Sequence, residues 1–175
     1  MRAIREAAPS NLFWQQPRAF KAEYELRAGD ELLAKLWSPS SFSATMGAEI
    51  GASQFSLMAE GFFRKRIAVR EVGAVGVAAY FQKGGFEGEL ALADGRGYRW
   101  KMMRFWSSRW AFVDDSDRPL VSFQARSQLF RAGCDVEIDP GALTLAELPI
   151  LVILGWYLLL QLREDSAAVA AAASG

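Results

Sequence analysis

The stretch from Leu148 to Leu160 is apolar at every position, with Gly155 its only gap. A helix that is apolar all round offers no face to water and must be enclosed, in protein or in lipid. A run of about 13 residues has the length of a buried helix, whereas a membrane span needs about 20. Reaching back to Ala142 lengthens the run but brings in Glu147 and Pro149, and no Lys/Arg cluster stands before it. The run therefore reads as the centre of a core, and the remaining chain has to supply its apolar jacket.

That remaining chain alternates with period 2, the mark of strands with one buried face. Phe20, Ala22, Tyr24 and Leu26 alternate with Lys21, Glu23, Glu25 and Arg27. Ile67 and Val69 share a face with Phe63, opposite Arg64, Arg66 and Arg70. Tyr98, Trp100 and Met102 oppose Arg99 and Lys101, while Trp110 and Phe112 oppose Arg109. Cys134, Val136 and Ile138 oppose Asp135, Glu137 and Asp139. Turn residues separate these segments at short, even intervals, among them Gly61, Gly73, Gly84-Gly85, Asp94-Gly95 and Asp115-Ser116-Asp117. Strands are expected near 18–27, 31–38, 42–49, 53–60, 62–71, 75–82, 86–92, 96–103, 108–114, 119–125, 128–132 and 134–138. The result is an antiparallel up-and-down β-barrel of about twelve strands. It forms a single domain over 18–165, with residues 1–17 as an N-terminal arm.

After Asp139-Pro140-Gly141 the pattern becomes helical, over about 144–163. Thr144 followed by Glu147 reads as a capping box, and Pro149 moves the start of regular helix nearer Leu148. Residues 166–175, small and mostly alanine, read as a frayed tail. Helix and barrel need each other. About eight strands are filled by their own side chains, so twelve leave a hole, and a helix about 10–12 Å across fits it.

A twelve-stranded barrel closing on a C-terminal hydrophobic helix resembles the tubby-like superfamily, which includes the tubby proteins, the LURP-one-related proteins and the phospholipid scramblases. The resemblance rests on the meander from about Arg18, on the stretch from Gly97 to Trp106 and on Leu148–Leu160. It implies the barrel with its central helix. It also implies a link to membrane lipid, because some members bind phosphoinositides through basic surface residues and others are connected with lipid movement. The tubby lipid-binding lysines have no assignable counterparts here, and the proline- and cysteine-rich region of scramblases is absent.

Several chemistries are excluded by composition. The sequence has no histidine and one cysteine. Zinc sites built on histidine, Ser-His-Asp triads and Cys-His dyads are out, as is an intrachain disulfide. Lys plus Arg and Asp plus Glu each number 20, so net charge points to no nucleic-acid partner. Cys134 faces inward by parity and reads as a small core residue. The glycines at 84–85 and 95–97 lack the strand-to-helix setting of a nucleotide loop and read as turns. No apolar run follows Arg2 and Arg5, so no signal peptide is expected, and the location is read as cytoplasmic.

One charged surface stands out. Arg64, Arg66, Arg70, Arg99, Lys101 and Arg104, with Lys65 and Arg109 beside them, are the candidate site for anionic lipid head groups. Phe62, Phe105 and Trp106 lie nearby in sequence for a membrane interface. The plainer reading is that these cations are the solvated outer face of ordinary strands. Asp135, Glu137 and Asp139 match the place where scramblases carry an acidic cation site. A straight strand, however, spaces them about 6–7 Å apart, too far for one ion.

The expected protein is thus non-catalytic, without metal or cofactor, and peripheral to a membrane through anionic lipid. A soluble scaffold with a protein partner is the alternative, and a membrane-anchored scramblase-like protein the third reading. Nothing in the sequence fixes an oligomeric state.

Overall fold

The computed structural model describes residues 4–8, 10–40, 44–61, 66–85, 87–104, 108–126 and 131–173, with Arg104 placed by its backbone only. Twelve antiparallel strands close into a barrel around one long helix. They are β1 (Leu12–Gln15), β2 (Glu23–Ala28), β3 (Glu31–Trp37), β4 (Thr45–Ile50), β5 (Ser53–Glu60) and β6 (Arg66–Glu71). The circuit continues with β7 (Ala79–Gly84), β8 (Glu87–Leu92), β9 (Gly97–Arg104), β10 (Arg109–Val113), β11 (Pro119–Ala125) and β12 (Gly133–Ile138). Each strand pairs with its sequence neighbours, and β1 pairs with β12 to complete the ring, with Trp14 opposite Cys134. A short helix α1 (Ile4–Ala7) precedes the strands, and α2 (Leu148–Ala173) follows them.

Inward residues of the strands and the buried part of α2 make one core. Leu12, Trp14, Leu26, Leu36, Leu57, Ile67, Phe81, Leu90, Phe112 and Phe123 pack with Leu148 and with the residues from Ile150 to Leu160. Burying each large side chain contributes about 1.5–3 kcal/mol before ordering entropy is counted. Trp156 stacks on Trp14 with ring centroids 6.0 Å apart and receives the edge of Tyr24 at 5.6 Å. No helix among the described residues is long and apolar enough to cross a membrane.

Because the strands alternate in direction, the barrel has two distinct rims. At the lower rim, β12 leads through a 3-10 turn (Pro140–Thr144) into α2. Asp139 caps this turn by accepting from the Gly141 N–H. Arg5 of α1 donates to the Leu145 carbonyl at 2.9 Å, tying the N-terminal segment to the same rim. At the upper rim, where β1, β3, β5, β7, β9 and β11 end, α2 emerges. Its residues from Arg163 to Ala173 are exposed.

Several expectations need correction. The count of twelve strands is right, but its membership is not. Leu12–Gln15, assigned to the arm 1–17, is β1, with Leu12 and Trp14 buried. The strand expected over 128–132 is not formed at Arg131 and Ala132, and 128–130 lie outside the described residues. Ala132 instead exchanges backbone and side-chain hydrogen bonds with Gln16. Strand β2 begins at Glu23 rather than 18, because Phe20 sits in the left-handed region at φ 65° and breaks the extended run. Strand β7 begins at Ala79 rather than 75, since Gly73 and Gly76 adopt φ 88° and 95°, which glycine reaches without strain. Helix α2 starts at Leu148 and runs to Ala173, so 166–173 is helical where a frayed tail was expected.

Gly155 is where helix and wall come closest. A Cβ there would stand 2.2 Å from Cζ of the fully buried Phe123. Alanine is better than glycine inside a helix by about 1 kcal/mol, whereas overpacking a core costs about 1–3 kcal/mol. Gly155→Ala should therefore lower stability in urea unfolding. In a Phe123→Leu background the same change should become neutral or stabilising. Equal effects in both backgrounds would show that the contact does not limit packing.

Candidate functional site

The described part of the basic set expected to gather head groups lies on the outer wall, as parity requires. It does not converge. Arg66 on β6 and Arg99 on β9 belong to one rung, Arg66–Gln82–Glu89–Arg99, set by the pairing of four adjacent strands. Three strand spacings put them roughly 14 Å apart, with Glu89 between. Their charges are also matched locally. Arg66 donates to Glu60 at 2.8 Å and its guanidinium lies 4.7 Å from the centre of the Tyr80 ring, while Arg70 reaches the other Glu60 oxygen at 3.3 Å. Arg99 and Lys101 share one oxygen of Asp117 at 2.7 and 2.6 Å, and Arg109 pairs with Glu137. A shallow groove of about 230 Å3 beside Arg99 and Lys101 also holds Glu87 and Glu89. Arg64, Lys65, Phe62, Phe105 and Trp106 lie outside the described residues, and the Arg104 side chain likewise.

The acidic strand face is paired in the same way. Asp135 accepts from Arg126, Glu137 from Arg109 and Asp139 from Arg118. No group of carboxylates or thiols able to hold a metal occurs among the described residues. Cys134 is fully buried, and burial pushes its thiol pKa well up, as expected of a core residue rather than a nucleophile.

Glu147 departs most from expectation. Thr144 donates to the Gly141 carbonyl and makes no capping box. Glu147 is only 5% exposed and sits one residue before α2, where its carbonyl accepts from the Leu151 N–H at 3.1 Å. One carboxylate oxygen accepts from Arg96 at 2.6 Å and from the Tyr98 hydroxyl. Arg96 is held in turn by Asp94 in the turn between β8 and β9. Burial first, then the bond to Glu147, pushes the Tyr98 hydroxyl pKa up and keeps it a donor. The cluster fastens the start of α2 to the lower rim.

The upper rim is unlike the wall. Phe20 is 95% exposed and holds its positive φ in the link between β1 and β2. Gln16 fixes that link by donating to the Lys21 carbonyl at 2.7 Å and accepting from the Ala132 N–H at 3.1 Å. Between this link and the emerging helix lies a depression of about 340 Å3, bordered by Phe20, Tyr24 and Leu160 and by Arg131, Arg163 and Glu164. Burial and then Glu164 push the Tyr24 hydroxyl pKa up, while Arg163 acts against them. Lys21, Arg131 and Arg163 make no ion pair among the described residues. Lys35 on the wall makes none either, but it stands between Glu25 and Glu49 in register. Parity gave no warning of this rim, because the period-2 pattern assigns Phe20 to the inside.

No family model matches the chain, and no curated protein or solved structure matches it.

Removing the Glu147 carboxylate should loosen the anchor of α2. Glu147→Ala leaves Tyr98 without its acceptor and should cost about 2 kcal/mol, against about 1 kcal/mol for Glu147→Gln, which keeps an acceptor. Urea unfolding measures both, and equal losses would show that packing rather than hydrogen bonding is at stake.

The pH dependence has a definite sign. Arg66 beside Glu60, Arg96 beside Asp94, Lys101 beside Asp117 and Arg118 beside Asp139 each hold the carboxyl below its ordinary pKa. Their contributions are present above the unfolded values of about 4 and are lost as pH falls through the lower folded values. With no histidine in the sequence, Tm should be nearly flat from about pH 5.5 to 7 and fall below about pH 4. A Tm step near neutral pH in calorimetry would contradict this.

Proposed function

We propose that this barrel is a non-catalytic module that docks on anionic membrane surfaces. One observation carries the reading. The rim from which α2 emerges presents a nearly fully exposed phenylalanine beside Lys21, Arg131 and Arg163, cations with no carboxylate partner among the described residues. An aromatic side chain gains by entering the interfacial region of a bilayer, and each nearby cation adds about 1 kcal/mol of attraction to an anionic leaflet. The resemblance to tubby-like proteins points the same way, although the supporting residues are at the rim and not on the strand wall.

A second reading, a scaffold for a protein partner, is favoured by the lower rim. There Val72 and Val75 are exposed in a connection without a charged residue between Glu71 and β7.

Co-sedimentation separates the two. The chain should pellet with vesicles of phosphatidylcholine plus phosphatidylserine and not with phosphatidylcholine alone. Binding should also weaken as salt rises, because added ions screen the attraction. Equal recovery with both vesicle types would remove the membrane reading.

A further inference from the structure

We infer that the depression at the upper rim is a discrete site for one phospholipid molecule, with Arg131 and Arg163 on the phosphate and Phe20 against the start of the acyl chains. This rests on the membrane reading but goes further. Docking needs only diffuse attraction, whereas this site is stoichiometric.

Three observations converge on the one depression. First, its two guanidiniums make no ion pair among the described residues, while Arg66, Arg70, Arg99 and Lys101 on the wall are already matched by Glu60 and Asp117. Guanidinium forks suit phosphate oxygens, and an arginine without a carboxylate can take one without first breaking an ion pair. Glu164 also borders the depression, so the local balance is two cations to one anion. That balance suits a singly charged phosphodiester.

Second, the lining is apolar where head group would give way to chain. Leu160 and Tyr24 border it, and the Tyr24 ring packs on Trp156 within the core.

Third, Phe20 is held outward against its own preferences. A bulky residue at positive φ is strained by about 1–2 kcal/mol, and its ring also forgoes burial. Gln16 bonds both to the Lys21 carbonyl and to Ala132, so the two segments that carry Phe20 and Arg131 are fixed to each other. A link with no task beyond joining two strands would place glycine or asparagine there.

The test uses the full chain and dihexanoylphosphatidylglycerol below its micelle concentration, followed by NMR titration and calorimetry, with inorganic phosphate as a second ligand. The soluble phospholipid should bind with one-to-one stoichiometry, and inorganic phosphate should bind far more weakly because it gains nothing from Phe20, Tyr24 and Leu160. Arg131→Glu with Arg163→Glu should weaken binding at least about tenfold. Arg66→Glu with Arg99→Glu, on the wall, should change it less than about twofold. Phe20→Gly should weaken binding while leaving Tm unchanged or raised, since it relieves backbone strain; a residue that merely shapes the link would show no loss of affinity. Absence of binding to the wild-type chain, undiminished binding by the rim variant or equal binding of inorganic phosphate would each overturn the site. Failure of the wild-type chain to pellet with anionic vesicles overturns the membrane reading by itself, whatever the soluble ligand does.

Discussion

Everything in this molecule depends on enclosing a helix that has no polar side. The segment from Ile150 to Leu160 is buried in full, so each direction around its axis must meet apolar wall. A flat sheet or a two-layer sandwich would cover part of the circumference and leave the rest in water. Only a closed surface meets the requirement, and its bore must match a helix diameter. A twelve-stranded ring does this, and the inward residues of its strands join α2 in one core. The outer wall is thereby released from any part in the core. Its charged residues can pair along rungs, as Glu60 with Arg66, or with turn residues, as Arg99 with Asp117.

How much of this was legible in the sequence follows from the range of each interaction. Inside and outside are local properties of a strand, so Ile67 and Val69, Trp110 and Phe112, and Cys134 and Val136 fall on the predicted face. The helix was legible because an unbroken apolar run has few other fates. Leu12–Gln15 was missed because four residues offer too little alternation to register, and its pairing with β12 joins opposite ends of the chain. Phe20 was misplaced because one left-handed residue resets the parity of everything before it.

The charged residues were legible only as faces. That Arg66 and Arg70 share Glu60, or that Lys101 meets Asp117, depends on register across strands and turns. Glu147 is the sharpest case. Its spacing from Thr144 fits a local cap, yet its partners Arg96 and Tyr98 stand about fifty residues earlier. The candidate rim was invisible for the same reason. Phe20, Arg131 and Arg163 come from three distant parts of the chain, and no short motif unites them.

The order of elements has a consequence for assembly. The filling, α2, follows all twelve strands in sequence, and the seam of the ring joins β1 to β12 across more than a hundred residues. During synthesis the strands leave the ribosome before their filling exists, with inward faces such as Leu57, Phe81 and Phe112 unsatisfied. A ring sealed early could not be threaded afterwards by a helix carrying Trp156. The seam must therefore stay open until α2 is available, and loop-closure entropy makes that last joining slow. Until then the edges of β1 and β12 lack the partners that the finished barrel gives them, and an unpaired edge is a template for pairing with other chains.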